Sequence, residues 1–523
     1  MEKFFNIAGP CNPAKHYMLP ATARIPEIMR LIAREQYFAI HAARQSGKTT
    51  FLQGLVDDIN ASGERIALYF TVESVQAYPD PHDGIFKIVE GMRADLLSHP
   101  LFSELIRDPS SPIPKMLPQP PDLGVKLFLS MLAQKAGKPL VVFFDEVDGL
   151  TEGTVITFLR ELRNGYITRN NIPFPSSVAI VGMMDIRDMK AKIRPDATTL
   201  GSKSPFNIIA EDFTLRNFTE EEVRALYAQH TAATGQVFEP AAVDEAYMFT
   251  CGQPWLVNAI AQKCVDVIHN CRYGEPVTAA DVEKAKEAII RERGTHVDSL
   301  MERLKEERVR RVVEPVILGD DRGVARNDSD YRYVIDLGLL KEDGKGSVIP
   351  SNPMYAEIML RYLSHDEQEG FKMAYPTPFW LKPDGALDMP ALMAEFQAFW
   401  RENSESNKEV YGYNEAMPHL VMMAYLQRVV NGGGRIIREL ALGSGRIDLC
   451  VEYGSFRYAV ELKMRKHFRP GKSYVQLAGY LDKLGLAEGW MAVFDDDKSK
   501  PWEERLFLHD EIVDGKTIHV VGL

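Results

Sequence analysis

The chain has 523 residues, 45% of them hydrophobic and 26% charged, with a formal net charge of −12. That length excludes a single hydrophobic core, and the acidic balance excludes a uniformly basic protein that coats nucleic acid, although an average can hide a local basic groove. No apolar run reaches the ~18–20 residues of a membrane span, and the opening MEKFFNIAGPCNPAKHYMLP lacks a long apolar signal core, so a cytoplasmic location is expected. Five scattered cysteines (Cys11, Cys251, Cys264, Cys271, Cys450) form no CxxC pair and have no histidine at zinc-ligand spacing. They are expected to be buried thiols in a reducing compartment.

Along the first two hundred residues, helix-period stretches alternate with short apolar runs: YFAIHA from Tyr37, RIALYFTV from Arg65, PLVVFFDE from Pro139, SVAIVGMMD from Ser177 and PFNIIAEDF from Pro205. Runs without polar alternation predict strands buried on both faces, hence a parallel sheet covered by helices. The Pro-rich piece from Asp108 to Asp122 predicts a surface connection. From Thr219 to Arg293 the periodicity is helical throughout, as in a small all-α lid. Further helices and a hairpin around Asp343-Gly344-Lys345-Gly346 predict a winged helix. The Pro-, Gly- and charge-rich segment after His365 predicts a linker, and a final α/β unit of about 130 residues follows. The expected boundaries are 1–215 for the sheet domain, 216–293 for the lid, 294–365 for the winged helix, 366–390 for the linker and 391–523 for the last domain. The fold class is thus α/β and multidomain.

In AARQSGKT, Gly47-Lys48 follows a buried strand and opens a helix, the context a P-loop requires. Backbone N–H groups of Arg44, Gln45, Ser46 and Gly47 through Thr50 are placed for phosphate, Lys48 for the β/γ oxygens and the Thr49 hydroxyl for Mg²⁺. The first glycine of GxxxxGK[ST] is replaced by Ala42, which fits wherever that turn does not need a strongly positive φ. Downstream, LVVFFDEVDGL delivers Asp145 and Glu146 to the end of a strand, where ligands bind in open α/β sheets. Asp145 is expected in the Mg²⁺ shell and Glu146 as the group that polarises an attacking water. Two such carboxylates must otherwise be hydrated or paired.

With the stretches SPFNIIAEDFTLRNFTEEEV and TCGQPWLVNAI, these motifs make about the first 365 residues resemble the AAA+/STAND group of ATPases that carry a lid and winged helix. The resemblance implies ATP and Mg²⁺ as cofactors. It also implies that Gly252 and Pro254, in the Gly-x-Pro of the lid, approach the nucleotide; outside the family the same two residues read as a plain helix break. No guanine signature is present. The sensor position reads Met183-Met184-Asp185, leaving Asp185 or a lost sensor as alternatives. Arg160, Arg163, Arg169 and Arg187 are open candidates for an arginine finger, each equally readable as a salt-bridged surface residue. Relatives form rings or stay monomeric until triggered, so a homo-oligomer or a regulatory protein partner both remain open.

Near the C-terminus, GSGRIDLCVEYGSFRYAVELK predicts a hairpin that brings Asp448 and Glu461 together on adjacent strands. Two close acids repel unless hydrated or metal-bound. Lys463, two residues after Glu461, shares its strand face and can orient an attacking water or offset phosphate charge. An isolated ExK is common on exposed strand edges. With its flanking helices, however, this stretch resembles the PD-(D/E)XK nuclease superfamily over roughly the last 110 residues, an α/β restriction-endonuclease-like fold. Ile447 stands where the proline would be. The resemblance implies Glu415 as a metal ligand with Asp448 and Glu461, and Gln476, with Tyr480, as a further site residue. The basic run KMRKHFRPGK suggests phosphate contacts, either as a substrate surface or as a solvated loop. The expectation is an ATP-dependent, Mg²⁺-dependent nuclease acting on DNA, with RNA left open, in nucleic-acid processing, mobile elements or defence. The alternative is an ATP-controlled scaffold whose nuclease-like domain binds nucleic acid or protein without cutting.

Overall fold

The computed structural model describes residues 3–20, 24–76, 78–108, 123–183, 205–292, 294–317, 328–343, 346, 348–363, 380–411, 422–423, 425–426, 434–442, 445–465, 468–495, 497 and 500–523. The chain divides into two compact units, Met1–Val309 with Ala325–Ala356, and Arg310–Val324 with Glu357–Leu523.

In the first unit, α1 (Glu27–Ala33), β1 (Tyr37–His41), α2 (Lys48–Ser62), β2 (Ile66–Thr71), α3 (Pro81–Asp95), α4 (Ser103–Arg107), α5 (Gly124–Ala136), β3 (Leu140–Asp145), α6 (Glu152–Thr168), β4 (Ser177–Gly182) and β5 (Ile209–Thr214) follow one another. The strands form a parallel sheet in the order β2-β3-β4-β1-β5. Successive strand residues face opposite layers, as the period of two demands. Tyr37, Leu68, Phe70, Val142, Phe144 and Ile180 pack with α3, α5 and α6. Phe38, Ile40, Val141, Phe143 and Val181 pack with α1 and α2. The unbroken apolar runs of β1, β3 and β4 are therefore sandwiched strands. The fifth run departs from expectation. Pro205–Ile208 is a 3-10 turn, and β5 is an edge strand whose Glu211 is exposed. An outer position beside β1 leaves its polar side chains in solvent.

Helices α7 (Glu220–Thr234), α8 (Pro240–Thr250), α9 (Pro254–Gln262) and α10 (Ala279–Glu292) come next, with a π-helical turn at Lys263–Ile268. Thr219 and Glu222 form a reciprocal capping box at the start of α7, matching the TEEE signal in the sequence. Then come α11 (Thr295–Leu304), α12 (Glu307–Ile317), α13 (Ser329–Asp336), a two-stranded antiparallel ladder of β6 (Leu340–Glu342) and β7 (Val348–Pro350), and α14 (Pro353–Leu363). Of the five cysteines, only Cys264 and Cys450 are buried, while Cys271 is exposed, correcting the expectation that all are interior. Cys271 lies in the turn that follows the π-helical segment, with φ of 56°.

The second unit carries α15 (Met389–Tyr411), β8 (Gly434–Leu442), β9 (Gly445–Tyr453), β10 (Phe456–Met464), α16 (Pro470–Leu484), β11 (Glu488–Phe494), α17 (Trp502–Arg505), β12 (Leu508–Val513) and β13 (Lys516–Gly522). Its six-stranded sheet runs β12-β13-β11-β10-β9-β8. The β8-β9-β10 meander is antiparallel, and β10, β11 and β13 are parallel. On one face Tyr474, Leu477, Ala478 and Leu481 of α16 cover Cys450, Ala459, Met491, Val493 and Val520. On the other, Phe396 and Trp400 of α15 lie 6.4 and 5.2 Å from Phe494. Residues 380–390, the described part of the expected linker, are packed here: Leu387 is buried, and its N–H donates to Tyr458 Oη at 2.7 Å. Among the described residues, no helix is long and apolar enough to cross a membrane.

Candidate functional site

The loop after β1 ends at Gly47, whose φ of 75° only glycine adopts without strain, and α2 begins at Lys48. Ala42 takes no positive φ, so alanine fits the first P-loop position. The buried Lys48 ammonium lies 3.1 Å from Glu146 Oε1 and 3.8 Å from Asp145 Oδ1. Thr49 Oγ1 donates to Asp145 Oδ2 at 3.2 Å, and Tyr69 Oη donates to the same oxygen at 3.0 Å. Asp145 is 1% exposed; burial pushes its pKa up while Lys48 pulls it down. Glu146, with φ of 63°, leaves the strand and turns its carboxylate to the lysine. The strand order places β4 between β1 and β3, so the loop after β1 and Asp145 meet across a neighbour rather than on adjacent strands.

Further contacts extend this cluster. Gln253 caps α9 through Oε1, which accepts from Leu256 N at 2.6 Å, and its Nε2 donates to Gln45 O at 3.1 Å. Gly252 is fixed sterically: at φ of 69°, an added Cβ would sit 1.9 Å from Phe218 O. The middle residue of the Gly-Gln-Pro triplet is thus the one that bonds the P-loop. Arg24 is buried, donates to Ser46 O at 3.0 Å and to Arg216 O, and lies over the Phe218 ring. Burial lowers its pKa to about 9. Thr50 Oγ1 accepts from Cys11 N at 2.9 Å, tying the N-terminal segment to α2. Beside the loop opens a cavity of about 110 Å³ lined by Met18, Gly47, Thr50, Phe51, Pro254 and Asn258 among others.

Other expected residues fall elsewhere. Arg44 is exposed and donates to Ser299 Oγ at 3.3 Å. Arg169 donates to Glu35 O and Ser176 O and stacks on Tyr166, which gives it a structural post. Arg160 is exposed. Asp185 and Arg187 lie outside the described residues, and the last described residue of that strand end, Met183, donates its N–H to Asp148. Arg24 and the N-terminal segment were missed in the sequence because no motif marks them, and Gln253 was passed over as the variable position of the Gly-x-Pro stretch; each reaches the loop from a distant part of the chain.

In the second unit, β9 and β10 bring together the three residues expected of the hairpin. Leu462 N donates to Asp448 Oδ2 at 2.8 Å, and Asp448 N donates to Glu461 Oε2 at 3.3 Å. Lys463 Nζ is 2.7 Å from Glu461 Oε1 and 3.9 Å from Asp448 Oδ2. Glu461 is 1% exposed, and burial, reinforced by Asp448, pushes its pKa up to about 7. Burial works against the Lys463 ammonium, but the two carboxylates hold its pKa above the ordinary value. Two hard oxygen donors sharing one space suit a Mg²⁺-type cation, which would also relieve their repulsion. Gln476 is exposed on α16, and its Nε2 donates to Tyr480 Oη at 2.9 Å. Tyr480 itself is buried and close enough to raise the Lys463 pKa. Glu415, Lys466 and His467 lie outside the described residues. Within the basic run, Phe468 is buried in the core, and Arg465 lies 5.7 Å from its ring.

No protein-family model matches the chain, and no curated protein matches it. Among solved structures, a Walker-type ATPase of Pyrococcus abyssi is similar over 68% of this chain and 99% of its own, at 11% identity and a TM-score of 0.48. The ORC2 protein of Aeropyrum pernix, in ADPNP–ADP complexes, is similar over 66% and 93%, at 12% identity and a TM-score of 0.39. RuvB of Thermotoga maritima, a Holliday junction branch migration motor, is similar over 65% and 92%, at 12% identity and a TM-score of 0.33.

Proposed function

We propose that the chain is an ATP-binding and ATP-hydrolysing protein of AAA+/STAND type whose C-terminal domain is a metal-dependent nuclease of PD-(D/E)XK type. The domains are 1–215, 216–293 as lid, 294–365 as winged helix, 366–390 as connection and 391–523 as nuclease. The observation that carries the cutting half is the gathering of the Asp448 and Glu461 carboxylates within 3.9 Å of the Lys463 ammonium. The nucleotide half is supported by Lys48, Thr49, Asp145 and Glu146 converging at the start of α2.

At the nucleotide, backbone N–H groups from Arg44 to Thr50 bind phosphate, aided by the N-terminal dipole of α2. Lys48 transfers from Glu146 to phosphate oxygens, which frees that carboxylate to orient water. Thr49 and Asp145 would hold Mg²⁺, which neutralises phosphate charge. Gly252 and Pro254 place the lid against the loop. In the nuclease, Asp448 and Glu461, with Glu415, would hold the metal, which supplies Lewis acidity at the phosphodiester. Lys463 offsets charge on the scissile phosphate and orients water, and Gln476 supports the site through Tyr480. DNA is the favoured substrate, with a homo-oligomer or a regulatory protein as partner.

The test is cleavage of DNA and RNA with Mg²⁺ by the wild-type chain, Asp448→Ala and Lys48→Ala. Cutting that is lost in the first variant and ATP-insensitive in the second is expected. Undiminished cutting by Asp448→Ala would reject the nuclease assignment, and cutting indifferent to Lys48→Ala would reject ATP control.

A further inference from the structure

The cavity beside the P-loop has mostly apolar walls, including Ile7, Met18, Leu19, Phe51 and Trp255, and runs along the first two turns of α2 from Gly47 through Thr50 to Gly54. A nucleotide whose phosphates lie on Gly47, Lys48 and Thr49 would extend its base and sugar in this direction. In such a pocket a few polar groups fix the orientation of an otherwise apolar ligand. Most of the polar groups around it are already engaged within the protein. The Met18 N–H is engaged, donating to Gln229 Oε1 at 3.2 Å, and the Met18 carbonyl accepts from Gln229 Nε2 at 2.7 Å. Trp255 Nε1 donates to Ile7 O at 2.8 Å, and Arg24 is spent on Ser46 O and Arg216 O.

Asn258 differs. It lines the cavity from α9, is 8% exposed, and donates through Nδ2 to Pro254 O at 2.8 Å. That bond sets the amide's orientation, because the nitrogen must face the carbonyl one helical turn back. Its Oδ1 is therefore presented as an acceptor, and this atom is buried with no hydrogen-bond partner. A buried amide oxygen without a donor is unfavourable, and in native proteins such an atom calls for an explanation. A ligand N–H entering the cavity would satisfy it.

We propose that Asn258 determines base specificity, its Oδ1 accepting a hydrogen bond from the 6-amino group of adenine. The proposal rests on the ATP-binding reading and adds to it the group that reads the base. Guanine and hypoxanthine carry an oxygen at that position, which would face Oδ1 acceptor to acceptor. A site built to accept from a donor rejects analogues that lack one more strongly than an apolar pocket can. The amino group, not the purine ring, is thus the feature recognised. The ribose hydroxyls are the competing donors on the same ligand, and the experiment separates them.

The test is calorimetric titration of the full chain with ATP, ITP, 2′-deoxy-ATP, 3′-deoxy-ATP and purine riboside 5′-triphosphate, which lacks the 6-amino group. The wild type is expected to bind ATP about ten-fold tighter than ITP or purine riboside triphosphate, and within about two-fold of either deoxy analogue. In Asn258→Leu, ATP affinity should fall to that of purine riboside triphosphate, whose own affinity should move less than about two-fold. Equal weakening of both ligands would make Asn258 merely structural and overturn the proposal. So would a loss confined to a deoxy analogue, or a wild type indifferent to the amino group, and neither of these needs the variant to fold. Binding of triphosphates without amino discrimination sinks only the base assignment, whereas no binding of any triphosphate sinks the ATP reading as well.

Discussion

Lys48 Nζ stands 3.1 Å from Glu146 Oε1, so the lysine proposed to meet phosphate is paired with the carboxylate proposed to orient water. A triphosphate that recruits Lys48 must compete with this ion pair. Glu146→Gln removes the competitor and should tighten ATP binding several-fold. The same change should slow hydrolysis by about 10²-fold or more through loss of the base. Paired measurement of ATP Kd and single-turnover hydrolysis checks both; parallel loss of binding and hydrolysis would contradict the competition.

Gly252 leaves no room for a side chain. An alanine Cβ would sit 1.9 Å from Phe218 O at a φ of 69°. Gly252→Ala should therefore destabilise the first unit by about 3 kcal/mol, since steric overlap adds to left-handed strain. Thermal unfolding should show a Tm lower by roughly 5–10 °C. A shift under about 2 °C would mean that Phe218 yields.

Gln253 joins the start of α9 to the loop before α2 through its side-chain amide. Gln253→Ala removes a helix cap, costing about 1 kcal/mol, and frees Gln45 O. ATP Kd should rise by a few-fold more than in a variant with an equivalent cap loss at Thr219. Equal effects would show that the bond to Gln45 contributes nothing to the site.

Glu461 links pH to the second unit. Its folded pKa, raised by burial to about 7 from 4.5, means the folded state favours the protonated acid. That stabilisation is complete below pH 4.5 and is lost as pH rises through 7, amounting to roughly 3 kcal/mol at most. Glu461→Gln should thus stabilise the unit at pH 8 and leave it nearly unchanged at pH 4.5, as read by denaturant melts. Mn²⁺ binding, which needs the ionised acid, should weaken as pH falls below 7 and release a proton there. Metal affinity flat between pH 6 and 8 would contradict the shift.

His296 gives the opposite slope in the first unit. It is buried beneath Trp255, with Nε2 2.7 Å from Tyr355 Oη, and burial lowers its pKa from 6.5 to about 4. The folded state favours neutral imidazole, so stability present above pH 6.5 is lost as pH falls through 4, by roughly 3 kcal/mol. His296→Phe should flatten the acid limb of the Tm–pH profile between pH 6.5 and 4. An unaltered limb would place acid sensitivity elsewhere.

The chain of 523 residues disclosed its local units wherever the physics is local. Apolar runs such as LVVFFD announce strands sandwiched between layers, because such a run cannot alternate with solvent, and Gly47-Lys48 after a strand announces the start of a helix. The meeting of Asp448, Glu461 and Lys463 was also legible, since a tight hairpin and a period of two leave little choice of partners. The edge position of β5 was not, for apolarity in a run does not say which strand will be outermost. Gln476 bonds Tyr480, four residues on, a spacing at which helix side chains meet. Arg24 against Ser46, Gln253 against Gln45 and the unpartnered oxygen of Asn258 belong to tertiary structure alone. Each depends on chain closure over long separations, and on whether burial leaves a polar atom satisfied, which only the packed fold can fix.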